Sequence, residues 1–450
     1  MKGISIIAAA SCLLLTLAGM QQVSAETLAR VEKTRIQSWA HGLTLWKDNI
    51  YMTDGSTGLV KQISADQTLS TLISSDQHGF KGIAADDAGT LYLADEKNHA
   101  IYQLSRDGKI ALLAGQGSAG FADGKATEAK FHGPGDVALG PDGAIYVADT
   151  LNHRIRKIDK HGMVSTVAGT GEEKDEDGWL IGGYRDGEAA HARINEPSSL
   201  AFDKQGHLYI ADTGNQRIRV LTPKGTVKTI AGSGLDTAEG RYIIGGFLDG
   251  TAAEAKFHSP LGIAVSDNGT IYVADTWNHR IRAITPQGMV TTVAGGDDHG
   301  DRDSWGSDAL FDGPTDVVVK PNGSLLVSDR WNRAVREINM LDLPDIADQK
   351  DVRMIVGEKY LKLRHRPFIE KGHVYVPLRE FAEALQYKVS YEAHSGRITL
   401  QKDNVQTTVP NQKIKLVYQT AMIQVREISS ILNCEVTWIP IYRIIVISPK

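Results

Sequence analysis

Three stretches of the chain hold reactive side chains at one fixed spacing: "VADTLNHRIRKI" (147–158), "IADTGNQRIRVL" (210–221) and "VADTWNHRIRAI" (273–284). A carboxylate, a carboxamide, an imidazole and two guanidinium groups lie close together in the first. Such a set could move a proton or hold an anion. The Asp, however, recurs at Asp54, Asp95, Asp149, Asp212, Asp275 and Asp329. A catalytic centre is assembled once per molecule, whereas a residue type needed in every unit serves a recurring turn. Asp and Asn suit that role, because short polar side chains bond nearby backbone and tolerate tight turns. The arginines are expected to lay their apolar stems over adjacent units. The repeated set therefore reads as scaffold, and chemistry must lie in what the units do not share.

The aspartates are spaced 41, 54, 63, 63 and 54 residues apart, which is a strand-rich repeat with insertions and predicts a β-propeller. In the third unit "DVALG" and "AIYVADT" flank Pro141-Asp142-Gly143, then "RIRKID" and "MVSTVAG" flank His161-Gly162. These read as four antiparallel strands, with Gly at one fixed place in each hairpin. The pattern P-x-[GSD]-[VIL]…DG-x-[IL]-Y-V-A-D-x-x-N-x-R-I-R…G-x-V-x-T-x-A-G resembles the NHL repeat. The likeness runs over 40–340 and is closest at 131–171, 194–234 and 257–297. It implies an all-β six-bladed β-propeller. The unit at 80–117 has Ala-Ile-Tyr in place of Arg-Ile-Arg, and the unit at 40–75 is the most degenerate. The last unit, 311–340, has three strands. "ARVEKTRIQSW" (29–39) is expected to supply the fourth, so that 26–39 close a propeller spanning 26–340.

Both ends differ from the repeats. Lys2, the apolar run from Ile4 to Ala18 and "VSA" ending at Ala25 predict a signal peptide over 1–25, hence an exported protein without a transmembrane segment once processed. Removal of 1–25 leaves Cys434 as the lone thiol, a cysteine usage that suits a bacterial, Gram-positive secreted protein. Residues 341–351 read as a linker. In 352–450, "VYVPLREFAEALQYKVSYEAHSGRITL" is echoed by "AMIQVREISSILNCEVTWIPIYRIIVI". Each copy is an amphipathic helix leading into two strands, so a small α+β domain follows the propeller. The first copy resembles the copper amine oxidase N-terminal-like domain, which implies an attachment module rather than an oxidase. His365, His373 and His394 are scattered, and no copper or other cofactor is expected there. Residues 347–450 hold 16 Lys and Arg against 10 Asp and Glu, while 26–346 hold 32 against 44. The basic tail suits an anionic cell-wall polymer, and the acidic propeller argues against nucleic acid.

Two places in the propeller are not shared between units. The starts of the innermost strands ring one channel mouth: His41, Lys81, Gly135, Ser198, Leu261 and Thr315, with Asp136 and Asp316 one step further in. The amidating lyases, which share the repeat, bind zinc with histidines from several blades at this position; here only His41 matches. Lactonase-type propellers hold a divalent ion in the channel, for which Asp136, Asp316 and Asn195 could be recruited. The other place is the insertions 171–187, 234–250 and 297–310, expected to cross the mouth face. They bring Trp179, Tyr184, Tyr242, Phe247 and Trp305, rings that either meet a ligand or pack the loops down. His132 and His258 stand just before the inner strands, in a packing or a contact role. The function expected is non-catalytic binding of a peptide, protein or glycan by the propeller face. The alternative is a metal-dependent lactonase- or lyase-like enzyme at the mouth.

Overall fold

A computed structural model describes residues 27–449 apart from 56, 67, 172, 175, 177, 179, 235–242, 343–351, 357–358 and 440–443. The expected leader at 1–25 and most of the expected linker lie outside the described residues. Two compact units emerge, one from Leu28 to Leu341 and one from Asp342 onward.

The first unit is a six-bladed propeller. Each blade is an antiparallel sheet, as in blade 3, with Pro134–Leu139 innermost, then Ile145–Asp149, Arg154–Ile158 and Met163–Ala168. Hydrophobic residues alternate onto the inter-blade faces, so that Val147, Ile155 and Val164 are buried between neighbours. Inner strands neighbour one another in order, and the first blade's meets the sixth's. Blade 6 takes Pro314–Val319, Leu325–Asp329 and Ala334–Asp342 from the end of the propeller segment and its outer strand, Thr27–Gln37, from the beginning. This joins the two ends of the ring within one sheet and removes two free edges.

The recurrent Asp, Asn and Arg form a buried clasp. Asp149 accepts the His132 N–H at 2.8 Å with Oδ1, and Asn152 Nδ2 at 2.8 Å and Arg156 Nη1 at 2.7 Å with Oδ2. The Arg156 guanidinium also meets Asp123 at 2.5 Å and the carbonyls of Lys130 and Ala122. It lies over the buried ring of Phe131. The same clasp joins Arg219 to Asp212 and Asp186, Arg282 to Asp275 and Asp249, and Arg336 to Asp329 and Asp303. All four arginines are fully buried. The expectation that the arginines act through their apolar stems is thus corrected: the charged head carries the contact. The first arginine of each pair is also a head-on contact, with Arg154 donating to the Asn152 and Gly171 carbonyls.

The second carboxylate of each clasp comes from the segment entering the blade. In blades 3, 4 and 5 that segment adds a short fifth strand at the outer edge (Gly124–Lys125, Gly187–Glu188, Gly250–Thr251). Blades 1 and 2 have Lys61 and Tyr102 at the clasp position. Their outer strands, Leu69–Ile73 and Ile110–Ala114, end their sheets and expose Leu69, Leu72, Ile110 and Leu112.

The turn between the second and third strands explains the imidazole of the repeated stretch. His99, His153, Gln216, His279 and Arg333 all have φ between 51° and 55°, and blade 1 has Gly58 at 64°. Histidine tolerates this left-handed region better than most residues.

The second unit is α+β. Helix α1 (Leu378–Ala384) and helix α2 (Val425–Leu432) follow equivalent strands, His373–Pro377 and Thr420–Gln424, which pair with each other. Leu378, Phe381, Ala382 and Leu385 of the first copy and Val425, Ile428 and Leu432 of the second share one buried core.

Breaking a clasp leaves two carboxylates facing each other without a cation, which costs about 3–5 kcal/mol for a buried pair. Arg219→Met should therefore lower the stability of the propeller by that amount in urea unfolding, and removal of 27–37 should cost at least as much. A loss below about 1 kcal/mol for Arg219→Met would show that the clasp contributes little.

Candidate functional site

The face that bears the channel mouth is built from the second-to-third-strand turns and the first residues of the inner strands. The mouth residues are committed to joining blades. Thr150, Thr213 and Thr276 donate to the carbonyls of Pro197, Pro260 and Pro314 in the next blade at 2.8, 2.6 and 2.7 Å. Thr315 closes the ring by donating to the His41 carbonyl at 3.0 Å.

Asp136 accepts Ser199 Oγ and the Leu200 N–H of the following blade, both at 2.9 Å. Asp316 accepts the Leu43 N–H across the closure at 2.7 Å. Gly82 and Gly262 of the preceding blades leave the room these carboxylates fill, since a Cβ at either would collide with Asp136 or Asp316. Burial pushes the Asp136 carboxyl up to about 7. Burial, and then the negative charge of Asp136, push Asp316 well above the usual range.

Lys81 is paired with Glu96 at 2.5 Å. His41 is half-buried, and burial followed by the charges of Lys81 and Arg330 hold its imidazole well below the usual range, hence neutral near pH 7. Among the described residues no three His, Cys, Asp or Glu side chains converge as metal ligands. Asn195, the other candidate, donates its backbone N–H to Asp212 at 2.7 Å in the blade 4 turn.

The described parts of the insertions are stitched to the blade they enter. Gly120, Gly183, Gly246 and Gly300 each accept the Asn side chain of a turn, from Asn152, Asn215, Asn278 and Asn332. The clasp ties each segment to the blade edge, while Leu180, Ile243 and His299 lie against the mouth-face turns. The Leu180 carbonyl is 2.9 Å from His153 Nε2, Ile243 donates its N–H to the Gly214 carbonyl at 3.3 Å, and the His299 ring is 5.3 Å from His279. Tyr184 has its ring 4.1 Å beneath the Arg217 guanidinium and its hydroxyl 3.0 Å from Thr229. Phe247 lies 3.9 Å beneath Arg280 in the same way. Trp305 is only 5% exposed, with Arg30 of the closing strand across its ring. These rings fasten loops, and Trp305 is not available to a ligand. Trp179 and Tyr242 lie outside the described residues.

Tyr184 and Phe247 still expose 42% and 43% of their surface, and a further aromatic surface lies on the turns. Each turn has one position, just before the Asn, that stays out of the clasp: Leu151, Gly214, Trp277 and Trp331 in blades 3 to 6, of which only Gly214 is buried. Trp277 is 53% exposed and Trp331 40%, with ring centroids 5.4 Å apart in an edge-to-face arrangement. Trp331 rests on Gly313, where a Cβ would meet the indole at 2.6 Å. His258 lies 6.1 Å from Trp277, His279 lies 6.1 Å from Trp331, and His299 is exposed 5.3 Å from His279. Asp312 is 3.6 Å from His279. The signal is in the sequence: among the first ten residues of the three matching stretches, this position alone takes three different residue types.

The histidines of the turns span blades. His99, His153 and His279 accept, through Nδ1, the N–H groups of Gly133, Glu196 and Gly313 at 3.0, 3.1 and 3.2 Å, and Gln216 does the same for Ser259 at 2.6 Å. An accepting Nδ1 requires a neutral ring. Burial lowers all three histidines, His153 to about 4. His132 lies 5.5 Å from His99 and is also lowered, by burial first.

The chain carries NHL repeats at 131–158, 195–221 and 257–284 and a copper amine oxidase N-terminal domain at 355–444. It is 27% identical over 290 residues to the chloroplastic protein SUPPRESSOR OF QUENCHING 1 of Arabidopsis thaliana, covering 59% of this chain and 27% of that protein. It is 27% identical over 332 residues to human NHL repeat-containing protein 2, covering 56% of this chain and 45% of that protein. The chain thus spans less than half the length of these relatives. An auxiliary nutrient binding protein from Bacteroides thetaiotaomicron superposes with a TM-score of 0.52 at 18% identity, over 70% of this chain and 77% of that one. One from Bacteroides ovatus does so with a TM-score of 0.52 at 16% identity, over 70% and 77%. The likeness to both is one of propeller fold.

The shifted groups make opposite contributions with pH. His153 stays neutral in the folded state while the unfolded imidazole protonates below about 6.5, so its contribution is lost as pH falls from about 6.5 to 4. Asp136 keeps its proton to about 7 while the unfolded carboxyl ionises near 4, so its contribution is lost as pH rises from about 4 to 7. His153→Gln, copying Gln216, should make stability fall less on acidification; Asp136→Asn should make it fall more. Equal pH profiles for wild type and both variants in urea unfolding would refute the assignments.

Proposed function

We propose that the chain is an exported, non-catalytic binding protein whose propeller face contacts a peptide, protein or glycan and whose tail domain attaches to the cell envelope. The observation that carries the reading is the pair Trp277–Trp331, two half-exposed indoles on the mouth face with imidazoles and a carboxylate around them. Large exposed rings cost apolar surface in water, and rigid aromatics bordered by polar groups are the usual anchors of a binding surface. The Bacteroides propellers are named for nutrient binding, but at 18 and 16% identity the likeness reaches only the fold, so the reading rests on the tryptophans.

A metal-dependent lactonase- or lyase-like reaction at the mouth has no comparable support. Asp136 and Asp316 are engaged in bonds that hold the ring, and Lys81 is paired with Glu96 of its own blade. Export is supported by the composition of residues 1–25, and attachment by the positive balance of 347–450, with 16 basic residues against 10 acidic. No helix among the described residues is long and apolar enough to cross a membrane.

Screening the purified chain against arrays of glycans and peptides tests the reading. A ligand found this way should lose at least about tenfold in affinity on replacing Trp277 and Trp331 by Ala, with stability changed by less than about 1 kcal/mol. Undiminished affinity in the double variant would place the contact surface elsewhere.

A further inference from the structure

We propose that the tail domain holds a binding groove of its own, shaped for an acidic glycan. It lies on the first of the two helix–strand copies and has a volume of about 990 Å³. Leu378 of α1, Ile398 and Ile414 line it. Tyr391 and Leu416, also on the lining, are 59% and 74% exposed, so the groove is open to water. An open trough with an apolar floor accommodates a length of chain better than an enclosed small molecule.

The charge around it is unbalanced by construction. Lys362, Arg364 and Arg379 lie on the lining, and none has an ion pair among the described residues. The nearest carboxylate, Glu380, accepts the Arg364 backbone N–H and His365 Nδ1, both at 2.5 Å. It holds the 364–365 segment against the start of α1 and keeps its charge, so with Glu383 the lining sets two carboxylates against three cations and remains net positive. The second copy gives the contrast. There Arg426 and Glu427 stand where Arg379 and Glu380 stand in the first, Glu427 pairs with Lys413, and Arg426 lies outside the groove.

A matching ligand must offer an apolar face to Tyr391 and Leu416 and anions to three cations. A sugar polymer carrying carboxylate or phosphate does both: its ring C–H faces stack on the phenol, and its anions meet Arg and Lys. A neutral glycan would leave the cations unmatched, and a simple polyacid would leave the ring of Tyr391 unused. The proposal rests on the attachment reading of the tail domain and gives it a site.

The test uses the full chain with three probes: polygalacturonate, neutral dextran and poly-L-glutamate, at about 50 and 300 mM salt. Polygalacturonate should bind, more weakly at the higher salt, and dextran should not. Arg379→Glu and Tyr391→Ala should each weaken binding about tenfold, while Arg426→Glu should change it less than about twofold. Equal losses from Arg426→Glu and Arg379→Glu would overturn the groove in favour of diffuse charge. Poly-L-glutamate binding as tightly as polygalacturonate, with Tyr391→Ala silent, would overturn the glycan in favour of an acidic peptide. Retention on isolated cell walls that Arg379→Glu leaves unchanged would sink the groove and spare attachment. Groove-dependent polygalacturonate binding without wall retention would support the groove and sink attachment.

Discussion

A guanidinium buried between two carboxylates is the contact on which the propeller depends. Taking the guanidinium and the blade's own carboxylate out of water is costly, and it is sustained by the bonds both make and by a second carboxylate that stays partly exposed. Arg156 meets Asp149, Asp123 and two carbonyls, and Asp149 also takes a backbone N–H and an Asn. One end of the contact belongs to the blade and the other to the segment arriving from its predecessor. A single side chain thereby fixes a turn, an edge and a connection. This explains why the second Arg accompanies the Asp and Asn in blades 3 to 6; in blade 2, where Tyr102 replaces it, Asp95 meets His78 at 2.6 Å beside Asn98.

The mouth follows from the same need for closure. In many folds polar groups at a channel entrance are free for a substrate; here threonines and aspartates reach from blade to blade. Their chemistry is absorbed in holding the ring shut, and the exposed aromatic surface is displaced outward onto the turns. The fastening is uneven. Blades 3 to 6 have clasps, whereas blades 1 and 2 have bare outer strands with exposed Leu69, Leu72, Ile110 and Leu112. Blade 1 is held instead through bonds at the closure, from Leu43 to Asp316 and from Thr315 to His41.

Much of the fold could be read from the sequence because the repeat is written in the residues that make it. The spacing of the aspartates gave the blades, and alternation with turn glycines gave the strands. The echo of "VPLREF" in "IQVREI" gave the twin helices. What the sequence hid was pairing between distant positions. Nothing local marks Asp123 as the partner of Arg156, or Gly82 as the hollow for Asp136. The candidate site was less legible for a related reason. Aromatics in insertions drew attention because insertions vary, yet Tyr184 and Trp305 vary in order to fasten different loops. Trp277 lies inside a stretch that reads as scaffold, where the variable position is flanked by the recurring Asp, Asn and arginines.

That position bears on how such a molecule can change. The residue ahead of the turn Asn stays out of the ion pair, and Leu151, Gly214 and Trp277 occupy it on the same backbone, exposed at Leu151 and Trp277 and buried at Gly214. Blades 3, 5 and 6 therefore display exposed side chains at this point on a turn that need not alter, while Asn195 closes the same point in blade 4 to anything larger than Gly214. New recognition can arise by editing these points one at a time, leaving the frame beneath them untouched.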